Sequence, residues 1–414
     1  MTITNRKYKD ETWDFVKADT KEYTHCLHNY PAMMIPQIAR ELLNRYGTPN
    51  GWLLDPYCGT GTSLVEASMF GMNGVGCDIN PLVRLIATAK TTPISLQVLE
   101  RHSQDLMDAI FQVGFFEDVP SAPIPDVLNL EYWFSEDVTS HLSFLRDRIN
   151  AVQDESVRNF FWVAFSETVR ECSYTRNGEF KLYRMPAQKL ATFQPDVFGV
   201  FQDKLTRNRA GLEVYLRKRK DVEIFVSSRN TANRGLPETQ PPNGFDLIIT
   251  SPPYGDSQTT VAYGQFSRLS ADWIGLEDSR KVDRISMGGS QKKSRLSDSP
   301  VDLAIGEIRT VDKKRASQVE AFYIDLERSI SSVAPLLAKG STICYVVGNR
   351  RVKGVALPTD AFIISAFGKH GFSHTETIVR NIPNKRMPKK NSPSNVAGET
   401  DLTMHEENIV VCQR

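Results

Sequence analysis

No two cysteines in this sequence form a CxxC pair: Cys26, Cys58, Cys77, Cys172, Cys344 and Cys412 are scattered along 414 residues. That scatter argues against a zinc site or a disulfide framework and for a reducing compartment, the cytoplasm. Long hydrophobic runs are missing too. No stretch reaches the roughly 18 apolar residues of a membrane span, and the N-terminus, MTITNRKYKDETWDF, has no apolar segment of a secretion signal. Charge of one sign is also lacking: 50 Lys and Arg against 49 Asp and Glu leave a net charge of +1. Attraction to a polyanion would therefore need a local basic face. What is present is 40% hydrophobic residues, enough for a sizeable core. The length suits two or three domains of roughly 150 residues each.

Residues 1 to 22 are polar and read as irregular or loosely docked. The spacing of Ile35, Ile38, Ala39, Leu42, Leu43 and Tyr46 predicts a helix over 36–46, with Gly47 to end it. Strand 51–54, helix 63–70 and strand 74–77 make one βαβ unit, and Pro81 suits the first turn of a second helix. The next such strands are 222–226 and 245–250, so about 130 residues intervene where loops usually take 2 to 6. A mainly helical insertion over 91–220 is expected, carrying apolar residues at helical spacing (Val157, Phe160, Phe161, Ala164, Phe165, Val169) with Trp162 as core. The stretch 255–316, rich in Gly, Ser and Lys/Arg, reads as a mobile loop. Helix 322–337, strand 342–347, helix 359–367 and strands 375–380 and 408–412 follow, the last two as a hairpin with a long connection. The expected fold is α/β with a seven-stranded, mostly parallel sheet between helices. Its units are 1–90, the insertion 91–220, and 221–414.

Two stretches carry chemistry. In DPYCGTGT (55–62), Gly59 and Gly61 let the backbone approach a ligand and free amides at a helix start. A nicotinamide fingerprint would require a third glycine where Leu64 stands. Asp78 closes the second strand, where a carboxylate accepts hydrogen bonds from both hydroxyls of a ribose. In FDLIITSPPYGD (245–256), Pro252 and Pro253 stiffen a strand-ending turn, so that the Ser251 hydroxyl and the Pro252 carbonyl converge as two acceptors. Such a pair suits a planar exocyclic amine, with the ring of Tyr254 stacked on its base. Cys58 reads as a small packed residue.

DPYCGTGT, then CDIN, then TSPPY resembles the S-adenosylmethionine-dependent amino-methyltransferases of DNA, and the serine of SPPY resembles the cytosine-N4 type. The likeness covers 23–90 and 221–412 and implies a Rossmann-like class I methyltransferase fold. THCLHNYPAMMIP (24–36) resembles the family's additional cofactor segment. The resemblance implies cofactor contacts from Thr24, His28, Tyr30, Pro31, Asp55, Pro56, Tyr57, Gly59, Thr60, Gly61, Thr62, Asp78, Ile79 and Asn80. It implies a catalytic role for Ser251, Pro252, Pro253 and Tyr254, and it calls for no metal. VEIFVSSRNT (222–231) offers no acid where the family often has one for the adenine. Cytosine-C5 chemistry needs a cysteine nucleophile, typically after proline, and none of the six follows a proline.

An amine inside a duplex is reached by swinging the nucleotide out, which needs phosphate contacts and stacking to offset the cost. Gln258, Tyr263 and Arg268 are candidates for the base pocket or the vacated stack. Lys292, Lys293, Arg295, Lys385 and Arg386 are basic candidates, as are Lys389, Lys390 and the run from Lys204 through Arg207, Arg209, Arg217, Lys218 and Arg219 to Lys220. Asn349 and Arg350 follow a strand near the cofactor edge. The expected partners are double-stranded DNA and a cognate restriction endonuclease acting separately. Three readings stand open: cytosine-N4 methylation of duplex DNA, methylation of an adenine amine or an RNA base, and a non-catalytic DNA-specificity subunit.

Overall fold

The computed structural model describes residues 6–115, 118–176, 178–179, 181–256, 262–290, 295–383, 390–391, 401–402 and 405–414. Strand β1 (Lys7–Lys9) leads into helix α1 (Pro36–Tyr46), which Pro36 opens at a position whose missing N–H costs nothing. Ile38, Ala39, Leu42 and Leu43 are its buried stripe. Strand β2 (Trp52–Asp55), helix α2 (Thr62–Phe70), strand β3 (Asn73–Cys77) and helix α3 (Pro81–Thr91) follow. Gly61 begins α2 at φ 79, and a Cβ there would stand 2.9 Å from that of Ala87. Only glycine satisfies both the backbone angle and the close approach of α3.

Between α3 and the next strand the described chain is mainly helical. Its longer helices are α4 (Leu96–Phe115), α5 (Glu136–Asn150), α6 (Glu155–Cys172) and α7 (Val197–Lys218). Asp154 caps α6 by accepting from Val157 N at 3.1 Å. Both faces of α6 are buried: Phe160, Phe161, Trp162 and Phe165 share one cluster with Leu142, Phe201, Leu212 and Tyr215 from α5 and α7.

Strands β4 (Ile224–Ser227) and β5 (Phe245–Thr250) resume the sheet. Helix α8 (Tyr263–Ile274), helix α9 (Asp302–Val311) and helix α10 (Lys313–Val333) precede β6 (Leu337–Val347). Helix α11 (Thr359–Gly368), β7 (Ser373–Asn381) and β8 (Glu406–Gln413) complete the chain.

The main sheet runs β1-β7-β8-β6-β5-β2-β3-β4, and only β8 is antiparallel to its neighbours. It is thus a mostly parallel α/β sheet as the strand pattern predicts, with one strand more than the expected seven. The extra strand is β1, and it corrects the reading of residues 1–22 as irregular: Lys7, Tyr8 and Lys9 pair in parallel with Thr377, Ile378 and Val379. Trp13, 1% exposed, pins the segment that follows. The stretch 255–316 is also not a structureless loop, because α8 and α9 lie within it, burying Leu269, Trp273, Ile305 and Ile308. Helix α10 starts nine residues before the expected Phe322, capped by Asp312, which accepts from Arg315 N at 2.9 Å.

Candidate active site

Chain order reverses between β2 and β5, which lie side by side, and ligands of open α/β sheets bind outside the strand ends at such a point. Here residues at and just beyond the C-terminal ends of β2, β3, β4 and β5 border one open cleft. The DPYCGTGT turn forms its floor. Asp55 ends β2 and is buried, accepting from Thr250 Oγ1 at 2.5 Å, from Tyr57 N at 3.1 Å and from the Ser63 hydroxyl. It therefore ties β2, α2 and β5 together at the base of the cleft. Burial pushes its pKa up to about 6 despite those donors.

Asp78 follows β3. Its carboxylate accepts from Gly59 N at 3.1 Å and Asn80 N at 2.8 Å. A carboxylate has about four acceptor positions, so these backbone donors do not exhaust it and a ribose hydroxyl can still be accepted. Desolvation raises Asp78 to about 6 as well. A Cβ added at Gly59 would meet nothing within 4 Å, so the backbone there is open to a ligand.

Asn80 caps α3 with its side-chain oxygen, accepting from Leu82 N at 3.1 Å. Its Nδ2 donates to Ser267 Oγ at 2.8 Å and to the Tyr30 hydroxyl at 3.0 Å. Tyr263 stacks on Tyr30 with ring centroids 6.3 Å apart and planes 6° from parallel. One polar and aromatic knot thus joins three segments that the sequence holds far apart.

At the end of β5, Ser251 and Pro253 border the cleft, while Pro252 is buried. Tyr254 stands beside them, outside the cleft wall. Its hydroxyl is 3.4 Å from Ser251 Oγ and donates to Glu407 Oε1 at 2.7 Å. The serine corner and the glycine turn therefore share one opening.

Of the residues anticipated for the cofactor, Tyr30, Pro31, Asp55, Pro56, Tyr57, Gly59, Thr60, Thr62, Asp78, Ile79 and Asn80 border this cleft. Thr24, His28 and Gly61 do not. Thr24 Oγ1 and both ring nitrogens of His28 are buried without a hydrogen-bond partner among the described residues, and burial pulls His28 down to about 4. Met33 and Met34, inside the anticipated segment 24–36, and Arg229, Asn230 and Thr231, at the end of the stretch 222–231 where no acid was found for the adenine, also border the cleft without having been named singly, whereas Val83, Val282, Ile285, Ser286 and Met287 were missed. The position of 229–231 at a parallel strand's carboxyl end was a usable signal. Nothing local marked 282–287, which the sequence presented as loop. Burial raises the Cys58 thiol well above its ordinary range, so it is packed and unreactive. No metal-binding cluster occurs among the described residues.

Of the nucleic-acid candidates, Tyr263 borders the cleft, Arg268 is half-buried beside Asp283, and Arg295 is exposed. Gln258, Lys292, Lys293, Lys385, Arg386 and Lys389 lie outside the described residues, as does the side chain of Lys390. The basic run on α7 is largely committed within the molecule. Lys204 meets Glu171 at 2.5 Å, Arg209 meets Glu100 at 2.7 Å, Arg217 meets Glu213 at 3.0 Å, and Arg207 pairs with Glu167. Asn349 donates to Asp360 Oδ1 at 2.8 Å and Arg350 lies 3.5 Å from Asp256, so both are held by acids.

A family model described as DNA methylase (N6/N4) matches residues 2–88. The chain is 40% identical to the type II methyltransferase M.MvaI of Kocuria varians, over 96% of this chain and 92% of that protein. It is 20% identical to the type II methyltransferase M.MjaII of Methanocaldococcus jannaschii, over 68% of this chain and 69% of that one. Among solved structures, the rRNA methyltransferase aviRa of Streptomyces viridochromogenes covers 98% of this chain and 94% of its own at 10% identity and a TM-score of 0.33.

Proposed function

The chain belongs to the type II methyltransferases, the DNA-modifying enzymes of restriction-modification systems, and from that premise we propose that it methylates the N4 amine of a cytosine swung out of duplex DNA, with S-adenosylmethionine as donor. The observation that carries the reading is the common opening of the serine corner and the glycine turn: Ser251 and Pro253 border the same cleft as Asp78, Gly59 and Thr60.

The residues present fit the cofactor. Asp78 borders the cleft with its carboxylate held by backbone N–H groups and can accept from ribose hydroxyls, and Gly59 leaves its backbone open. Ile79, Asn230 and Met287 offer apolar and amide surface for an adenine, and Tyr30 to Met34 also border the cleft, with Met33 Sδ 3.1 Å from Thr60 Oγ1. Bound there, S-adenosylmethionine supplies an electrophilic methyl group on a sulfonium centre.

The chain's own residues then orient the nucleophile. The Ser251 hydroxyl and the Pro252 carbonyl accept the two N–H groups of the base, which aims the nitrogen lone pair into the cleft. Tyr254, anchored through its hydroxyl, offers its ring to the base. No side chain serves as nucleophile, so positioning supplies the rate. The helical region 91–220 and the stretch 255–316 share DNA recognition in this reading. The protein works in the cytoplasm, with a cognate endonuclease acting separately on the same DNA.

The test is to incubate the full chain with labelled S-adenosylmethionine and duplex DNA, digest the product to nucleosides and identify the modified one by mass. N4-methylcytosine is expected. N6-methyladenine would overturn the base assignment, and transfer to RNA alone would overturn the substrate. Cofactor binding without transfer to any nucleic acid would favour a specificity subunit.

A further inference from the structure

Lys90, in the last turn of α3, is 0% exposed. Its ammonium has one hydrogen-bond partner among the described residues, the Thr60 hydroxyl at 3.3 Å, and Thr60 borders the cleft. An unpaired buried cation is costly. The acid that faces it, Glu167 of α6, is already engaged: Oε1 accepts from Asn29 N at 2.7 Å and Oε2 from Arg207. The other groups around Lys90 are Lys21, His25, Cys26 and His28 of the N-terminal segment, and none of them supplies a negative charge. Burial pulls the ammonium down to about 7, so the site as it stands works against the charge.

The single contact has a directional consequence. A protonated lysine can only donate, so Thr60 Oγ1 accepts from it and must point its own proton elsewhere. That proton faces Met33 Sδ at 3.1 Å, a weak acceptor on the cleft wall. A hydroxyl forced to donate, backed by a cation and placed just ahead of the positive N-terminal end of α2, is suited to an anionic oxygen. Asp78, the ribose acceptor, gives another part of the same cleft the opposite polarity.

We propose that Lys90, acting through the Thr60 hydroxyl, is the positioning residue that recognises the carboxylate of the cofactor's amino-acid portion. The proposal rests on reading the cleft as an S-adenosylmethionine site. The buried charge is then a cost that the ligand's carboxylate offsets on binding. Orienting the amino-acid portion also orients the sulfur and its methyl group toward Ser251.

The test compares two ligands by calorimetry on the full chain: S-adenosylhomocysteine and its decarboxylated form, which keeps the adenosine, sulfur and amine. Lys90→Met preserves length and removes the charge, and Thr60→Val removes the relay while Lys90 stays. Each variant is expected to weaken S-adenosylhomocysteine about tenfold or more and to leave the decarboxylated ligand within about twofold of wild type. Equal loss for both ligands, or loss for neither, would overturn the role of Lys90. Should Lys90→Met fail to fold, Thr60→Val reads the same contrast. If wild type binds neither ligand, the cofactor reading itself falls and this proposal with it, a result distinct from a lost contrast.

Discussion

The Tyr254 hydroxyl donates to Oε1 of Glu407 at 2.7 Å, joining residues 153 positions apart. Oε2 of the same carboxylate accepts from Arg380, whose Nε donates to the Trp13 carbonyl at 2.7 Å and whose Nη2 donates to the Asp14 carbonyl at 3.3 Å. The corner after β5 is thereby tethered to β8, to β7 and to the segment following β1. The tether holds the one end of Tyr254 that the adjoining prolines cannot hold, and it distinguishes the roles of hydroxyl and ring.

Tyr254→Phe keeps the ring and leaves Glu407 with Arg380 alone. The variant should lose about 1–3 kcal/mol of stability, read by denaturant unfolding, and keep a measurable fraction of methyl transfer. Tyr254→Ala should lose about 100-fold or more, because base stacking goes with the ring. Equal activity in the two variants would show that the ring makes no contact with the base.

Ser251→Ala removes one of the two acceptors proposed for the amine. Single-turnover methyl transfer should fall by about 10²–10³-fold, the scale of losing one positioned hydrogen bond at a reacting group. Calorimetry should find cofactor affinity unchanged, since Ser251 serves the base. A variant that transfers methyl at the wild-type rate would remove Ser251 from the mechanism.

Asp78 sets a pH dependence with opposite signs for folding and binding. Its pKa in the folded protein, about 6, lies above its ordinary value of 3.8 because burial disfavours the charge. Its contribution to the stability of the ligand-free protein is therefore present at low pH and lost as pH rises through about 6. Ribose hydroxyls need the ionised acceptor, so cofactor affinity should rise over the same interval and level off above it. Thermal melts and calorimetry between pH 5 and pH 8 measure both trends. In Asp78→Asn, affinity at neutral pH should drop and this pH dependence should flatten.

Asp256, two residues beyond Tyr254, is 0% exposed and pairs with Arg315 of α10 at 2.9 Å and with Arg350 at 3.5 Å. It anchors the far side of the serine corner. Asp256→Asn removes the carboxylate that both guanidinium groups share and should cost about 3–5 kcal/mol, seen as a shifted denaturation midpoint. If the midpoint does not move, the pair has no structural weight.

Much of the scaffold was legible because its signals are local. Glycine in a turn with positive φ, proline at a helix start, an asparagine cap and alternating apolar strands each act within a few residues. DPYCGTGT, CDIN and TSPPY are therefore placed at strand ends by the sequence itself. Residues 7–9 and 255–316 misled for the same reason. A polar three-residue strand becomes a strand only when β7 offers it an edge, and α8 and α9 gain most of their stability by burying Trp273 and Ile308 against partners elsewhere in the chain.

The amino-acid sequence by itself determined the α/β alternation, the glycine turn, the acid after β3 and the serine corner after β5. Tertiary structure alone decided that 282–287 would border the same cleft as the glycine turn, that Glu407 would hold Tyr254, that Glu167 would take Arg207 of α7, and that Lys90 would be left, among the described residues, with only a hydroxyl. Backbone conformation follows from steric and hydrogen-bonding choices between near neighbours, whereas the partner of a buried charge is settled only when distant elements pack and water is excluded.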